Sequence, residues 1–201
     1  MDGPWHHLRR VRHPAVRLRA LHRGQRSAQP VAADAPYGPS PRAAEPVAAA
    51  VLARDHGKLT TAAAFDLDKA LAAHDRTLRH AYEVARTAAT DNRRVEPAAE
   101  WLIDNAFLVR NEIRTIRDAL PARVWKRLPR TETERGSVAP RMLRVLRACI
   151  ARLDGTVEPA AVERYLNEYQ QHCALDLIEL WTLPVLVRVT LVEGLAACAA
   201  T

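Results

Sequence analysis

The stretch "LDLIELWTLPVLVRVTLVEGLAA", Leu175–Ala197, decides the fold class. Its middle, "VLVRVTLV" (Val185–Val192), is β-branched and alternating, which is the pattern of a strand. Its flanks, "LDLIELW" and "EGLAACAA", read as helix. A strand needs a neighbour to take up its backbone N–H and C=O groups. No second strong strand candidate occurs in the chain, so the segment is predicted to be a helix, kinked or restarted at Pro184. The stretch is apolar, but Arg188 and Glu193 interrupt it. Its uncharged run from Leu180 to Val187 is far short of the roughly 20 residues that cross a bilayer. No transmembrane span is expected.

Working back from there, helical stripes recur. Leu67, Leu71, His74, Leu78, Ala81, Ala85 and Ala88 follow each other in steps of four and three, which predicts a helix from about Thr61 to Ala89. "TDNRR" breaks it. Leu102, Ala106, Val109, Ile113, Ile116 and Leu120 repeat the spacing in "PAAEWLIDNAFLVRNEIRTIRDALP", Pro97–Pro121, where Pro97 suits a first turn and Pro121 stops the helix. Two long helices with matching stripes and a short connection predict an antiparallel pair. "RVWKRLPRTETERGS" reads as a turn and a polar loop. Pro140 opens a further helix with Leu143, Leu146, Cys149 or Ile150, and Leu153 inward. Pro159 opens another, with Val162, Tyr165, Leu166, Tyr169 and Cys173 on one face.

The N-terminal part is different. Residues 1–30 hold seven Arg and one acidic residue, and "PVAADAPYGPSPRAAEP" packs five prolines into 17 residues. Such a segment buries too little apolar surface to offset its ordering entropy. Residues 1–43 are therefore expected to form a disordered basic, Pro-rich leader, and 44–201 an all-helical domain. A short helix is expected from Glu45 to His56, ended by Gly57. The fold class is all-α, a helical bundle of about five to six helices.

The chain's net charge of +7 is local to the leader. The other 171 residues hold 23 Lys and Arg against 22 Asp and Glu. The three cysteines, Cys149, Cys173 and Cys198, are odd in number and contain no CxxC pair, so neither a disulfide framework nor a zinc signature is present. No apolar run follows the basic N-terminus, so no secretory signal is read there.

Candidate chemistry is sparse. "FDLDK" holds Asp66-x-Asp68, a pair that glycosyltransferases use to hold a metal and a nucleotide sugar from a loop after a strand. In a helical pattern residues two apart diverge by about 200°, and solvated surface is the expectation. His74 lies on an apolar stripe and reads as a core or boundary residue. His172 and Cys173 are adjacent, a poor ligand pair on a helix. The leader histidines His6, His7, His13 and His22 have nothing to orient them. Near Trp101, Asp104 and Asn105 fit either a hydrogen bond to a neighbouring loop or a sugar- or partner-contact patch, the former being expected. Glu179 beside Trp181 raises the same pair of readings. No phosphate-cradling Gly loop, GxSxG or HExxH occurs. Catalytic, metal and cofactor sites are expected to be absent. Trp5 is the leader's only aromatic before Tyr37, so a base-stacking platform is not expected and nucleic-acid contact would be nonspecific.

The body of the chain resembles the N-terminal region of bacterial cyclic β-1,2-glucan synthases. Pro97, Ala98, Ala99, Glu100, Trp101, Leu102, Asp104 and Asn105 match the start of that family's pattern, and Glu112, Ile113, Arg114, Leu120 and Pro121 continue it. Leu128 and Pro129, then Tyr169, Gln170, Glu179, Leu180, Trp181, Pro184, Arg188, Leu191 and Glu193, complete it. The similarity covers roughly residues 50 to 196. It departs from the pattern at "ARVWKR", which lacks the usual aromatics, and at Gly194, where the family has Asn. The resemblance implies a UDP-glucose-dependent glycosyltransferase system with a divalent metal, of which this chain would be a truncated or split N-terminal module. The transferase domain, membrane spans and phosphorylase-like domain would lie beyond Thr201. It implies a transferase domain or subunit as partner, structural or partner-contact roles for the matched residues, and a cytoplasmic location at the inner face of the inner membrane. The rival expectation is a free-standing helical binding module whose basic tail contacts nucleic acid or anionic lipid.

Overall fold

A computed structural model describes residues 65–200, except 133–137, 154 and 156, together with the strand at 59–60. The expected leader at 1–43 and the expected helix at Glu45–His56 lie outside the described residues. In chain order the elements are β1 (Leu59–Thr60), α1 (Leu67–Thr90), α2 (Pro97–Ala119), α3 (Ala122–Trp125), β2 (Arg130–Glu132), β3 (Val138–Pro140), α4 (Arg141–Arg152), α5 (Pro159–Gln170) and α6 (Leu177–Ala199). The class is all-α, with six helices among the described residues.

Helix α1 begins at Leu67, the first residue of its stripe and later than the expected start near Thr61. Asp66 is extended, and its Oδ1 accepts from the Lys69 N–H at 3.0 Å. A short carboxylate satisfies a first-turn donor that has no intrahelical partner, which sets the boundary. The other end closes at Asn92, in the left-handed region at φ 55. The Asn92 N–H donates to the Ala89 carbonyl and the Arg93 N–H to the Ala88 carbonyl. Asn tolerates that conformation better than most residues, and the two bonds use up carbonyls the helix would leave open.

The inward stripes are where the spacing puts them. Leu67, Leu71, Leu78 and Ala85 of α1 are buried, as are Leu102, Val109, Ile113 and Ile116 of α2. The two helices pack on each other across a connection of six residues. Helix α4 is buried on most of its surface, including Met142, Leu143, Val145, Leu146, Cys149 and Ile150. Helix α6 packs against α1, α2 and α4. Apart from Ala85, these side chains share one core with Val162, Leu166 and Tyr169 of α5. Cys173, expected on the α5 face, lies after the helix in the connection to α6.

Two expectations need correction. The segment around "RTETERGS" is not only a loop. Arg130–Glu132 and Val138–Pro140 pair antiparallel, with Thr131 opposite Ala139, and Leu59–Thr60 pairs on the other side of β2. Strands of two or three residues carry too little alternation to be read from sequence. Pro140, as the last residue of β3, leads directly into α4. The second concerns Pro184, where a helix kinked or restarted was expected: the segment is a helix, and it runs unbroken from Leu177 to Ala199 without a restart. Proline costs the Leu180 carbonyl its N–H donor. Leu180 is itself an exposed residue. Nearby, the Thr182 hydroxyl donates toward the Ile178 carbonyl at 2.8 Å.

Helix α6 as a whole is long and apolar enough to cross a membrane by length and composition. Reading the uncharged run alone missed this. However, 56% of its most apolar window is buried inside the protein, as in the central helix of a bundle.

Candidate functional site

The polar centre of the fold is a guanidinium–carboxylate pair between the first residue of α4 and the first turn of α6. Arg141 Nε donates to Glu179 Oε1 at 3.0 Å, and Nη2 donates to Oε2. The side chains are 4% and 0% exposed. The remaining groups are engaged too. Arg141 Nη1 donates to the Cys173 Sγ at 3.0 Å, and Nη2 also donates to the Ala174 carbonyl at 3.1 Å. Glu179 Oε2 accepts from the Asp176 N–H at 2.9 Å, within a capping box that opens α6. One arginine thus ties α4, the 173–176 connection and α6 together. Burial pulls the Arg141 pKa down, but hydrogen bonding and charge from Glu179 raise it further, so it stays charged. Tyr169 is pushed up by burial first and by its hydrogen bond with Cys173 second.

A second pair lies further along the same two helices. Arg147 Nε and Nη2 donate to Glu193 Oε2 and Oε1 at 2.8 and 2.7 Å. This bidentate fork is the strong form of such a contact. The Arg147 guanidinium also sits 5.6 Å from the Phe65 ring centre. Phe65 packs on Trp125 at 5.7 Å, and the Trp125 indole N–H donates to the Phe65 carbonyl at 3.0 Å. The residues just before α1 are therefore held by α3 and α4 together. His74 lies beside this pair. Burial lowers its pKa, Glu193 opposes that, and Arg147 adds to it.

The residues singled out by sequence fall into separate places. Glu179 and Glu193 are buried and paired with arginines. Glu112 and Arg188 meet each other at 3.5 Å, half-buried, between α2 and α6. Asn105 Nδ2 donates to the Trp101 carbonyl, 2.8 Å away in the same helix. Trp101 is half-buried against the core, and Asp104 is exposed. Arg114 donates to Asn111 Oδ1 in the same helix at 3.3 Å. Pro184 lies half-buried inside α6. Trp181 is 78% exposed. Asp66 caps α1 while Asp68 is exposed one residue inside it, so the two do not converge on a common point.

Arg141 and Arg147 were not among the candidates. Part of the signal was present in "RMLRVLR", where arginines recur every three residues in an apolar helix. Residues three apart lie on neighbouring positions of one helix side, so the spacing shows that these arginines share a side of α4 but not that the side is buried.

These contacts make a framework, not a converging set of acids, bases and nucleophiles. Among the described residues no group of three His, Cys, Asp or Glu side chains is placed to hold a metal. A small cleft between α1 and α2 is lined by Asp75, Leu78, Arg79, Tyr82, Leu102 and Val109, among others. Its volume of about 20 Å³ admits roughly one water.

No protein-family model matches the chain. Among curated proteins it is similar to the cyclic β-(1,2)-glucan synthase NdvB of Rhizobium meliloti (strain 1021), with 32% identity over 127 residues. The similarity covers 62% of this chain and 4% of that protein. The chain thus spans about 4% of the length of the relative it matches. The relationship is distant, and it agrees with the resemblance carried by the α2 and α6 motifs.

Proposed function

We propose that the chain is a non-catalytic helical module of a cyclic β-1,2-glucan synthase, truncated or split, that packs against the transferase part of that system. The observation that carries this reading is the 127-residue similarity to a glucan synthase. The geometry supports it. The acidic residues that define the matched motifs, Glu112, Glu179 and Glu193, are engaged with Arg188, Arg141 and Arg147. Glu179 and Glu193 are buried against their arginines, which ties helices together and keeps both carboxylates from a substrate. UDP-glucose, the divalent metal and the transfer step belong to the partner in this proposal. The module would lie in the cytoplasm at the inner face of the inner membrane.

The test is direct. Purified protein incubated with radiolabelled UDP-glucose and Mg²⁺ yields no labelled glucan, and labelled product overturns the proposal. A second reading, a free-standing binding module, draws on the seven arginines of residues 1–30. It predicts salt-sensitive binding to DNA or anionic vesicles that disappears when residues 1–43 are deleted.

A further inference from the structure

Arg130 on β2 departs from the rule that Arg141 and Arg147 obey. Each of those forks onto a glutamate. Arg130 is only 6% exposed, yet among the described residues no carboxylate pairs with it. Its guanidinium lies 5.8 Å from the Trp125 ring centre, and Nη2 donates to the Trp125 carbonyl at 3.2 Å. Nη1 is buried and has no hydrogen-bond partner. A water molecule satisfies such a nitrogen but leaves the charge uncompensated. Nor does arginine escape by shedding its proton, as a buried lysine does. The surroundings add positive charge. The Trp125 carbonyl held by Arg130 belongs to the peptide that leads into Lys126, so the Lys126 backbone lies beside the guanidinium. Arg123, Lys126 and Arg127 are exposed, and no Asp or Glu occurs from 119 to 131.

We infer that Arg130 and the 125–129 turn form a binding site for a phosphate group, free or carried on a larger molecule. A guanidinium edge donates to two oxygens at once, and the indole face of Trp125 holds it in place. Phosphate offers several acceptor oxygens and more than one negative charge near neutral pH. That suits a buried cation with further cations beside it better than a single carboxylate does. Strand β1 is two residues long, lies at the edge of the sheet and pairs with Arg130 through Thr60. An edge with so few bonds opens locally at small cost, which admits an anion to Nη1. The basic stretch "ARVWKR" is where the chain departs from the glucan-synthase pattern. The site is therefore a property of this chain and does not depend on the proposed packing role.

The experiment titrates the full chain calorimetrically with inorganic phosphate in chloride buffer at constant ionic strength. Expected is saturable binding at one site, weakened about tenfold or more in Arg130→Met. The surface double variant Lys126→Gln with Arg127→Gln should weaken it about threefold without touching the core. The leader arginines are the same in every variant and cannot account for a difference. Without phosphate, Arg130→Met should melt no lower than the wild type, because it removes a charge that has no counter-charge. A second arm uses phosphatidylcholine vesicles containing phosphatidate. Flotation lost in Arg130→Met, with no binding of inorganic phosphate, assigns the phosphate to a lipid headgroup. Binding of inorganic phosphate assigns it to a soluble source. Phosphate binding that does not saturate, or that is equal in the wild type and Arg130→Met, marks an adventitious ion only and overturns the site. So does an absence of binding to both probes. A large loss of stability or a failure to fold in phosphate-free Arg130→Met shows that a carboxylate of the chain already holds the guanidinium, and overturns the site as well.

Discussion

Arg141 and Glu179 form a two-point ion pair in the core, with the arginine opening α4 and the glutamate completing the first turn of α6. A buried pair gains little over well-packed apolar side chains, because both charges have been taken out of water. Losing one partner is different, since the other charge stays buried and unpaired. Glu179→Ala is expected to destabilise the fold by about 3–5 kcal/mol, read as a fall in the urea midpoint. The double change Arg141→Met with Glu179→Leu should recover most of that loss. An equal loss in the single and double variants would show that the pair does not act as a unit.

The pH dependence follows from groups that favour one protonation state when folded. His74 has its pKa lowered from the ordinary 6.5, chiefly by burial. The unfolded chain therefore takes up its proton first as pH falls. Stability present above pH 6.5 is lost on acidification through that value and down through the folded pKa. Cys149 runs the other way. Burial pushes its thiol from 9.0 up to about 12. Its contribution is complete below pH 9 and is lost as pH rises from there toward 12. A His74→Gln variant should flatten the acid limb of a plot of unfolding free energy against pH. An unchanged acid limb would remove His74 from the explanation.

Most of the helical frame was legible because its signal is periodic. The four–three spacing of Leu67 to Ala88 and of Leu102 to Leu120 leaves one apolar face, and that face is the buried one. The class of α6 was legible from the absence of a strong partner strand. The polar framework was not, because nothing in the spacing of Arg141 and Glu179, 38 residues apart, shows that they meet. The small sheet was hidden for a related reason: its strands are defined by pairing with each other and not by their own pattern. Trp181 was flagged by its motif, but only the burial of Glu179 shows that it must face outward.

The Asp66-x-Asp68 pair shows how one hydrogen bond changes a reading. Apolar "TAAAF" upstream extends the helical composition, so the pair seemed to lie inside the helix. Instead Asp66 is the cap and Asp68 lies just inside the first turn. Asp66→Ala should cost about 1 kcal/mol. Asp68→Ala removes only a favourable charge at a helix N-terminus and should cost about 0.3–1 kcal/mol at low salt. Thermal unfolding with and without 0.5 M salt separates the two, because the Asp68 effect is electrostatic and fades with screening while the hydrogen bond of Asp66 persists. Mn²⁺ should not change either midpoint. A Mn²⁺-dependent rise in the wild type that both variants abolish would make the pair a metal site.

The three cysteines provide a probe of how the core opens. None forms a disulfide: Cys149 is fully buried, and Cys173 and Cys198 are half-buried. A thiol reacts as its thiolate and only where a reagent reaches it. Burial raises the pKa of Cys149 and, by less, that of Cys198. At pH 8, an aromatic disulfide reagent should therefore modify two thiols in the native protein. The third should react only as the molecule unfolds. Cys149 sits on α4 two residues beyond Arg147 and inside the core, so its exposure requires α4 to leave the core. Its labelling rate should accordingly rise steeply in Glu179→Ala, by roughly tenfold for each 1.4 kcal/mol lost under fast reclosing. Labelling of Cys173 should change much less, because that thiol is accessible without global opening. Three thiols reacting at similar rates in the native protein would contradict the burial of Cys149.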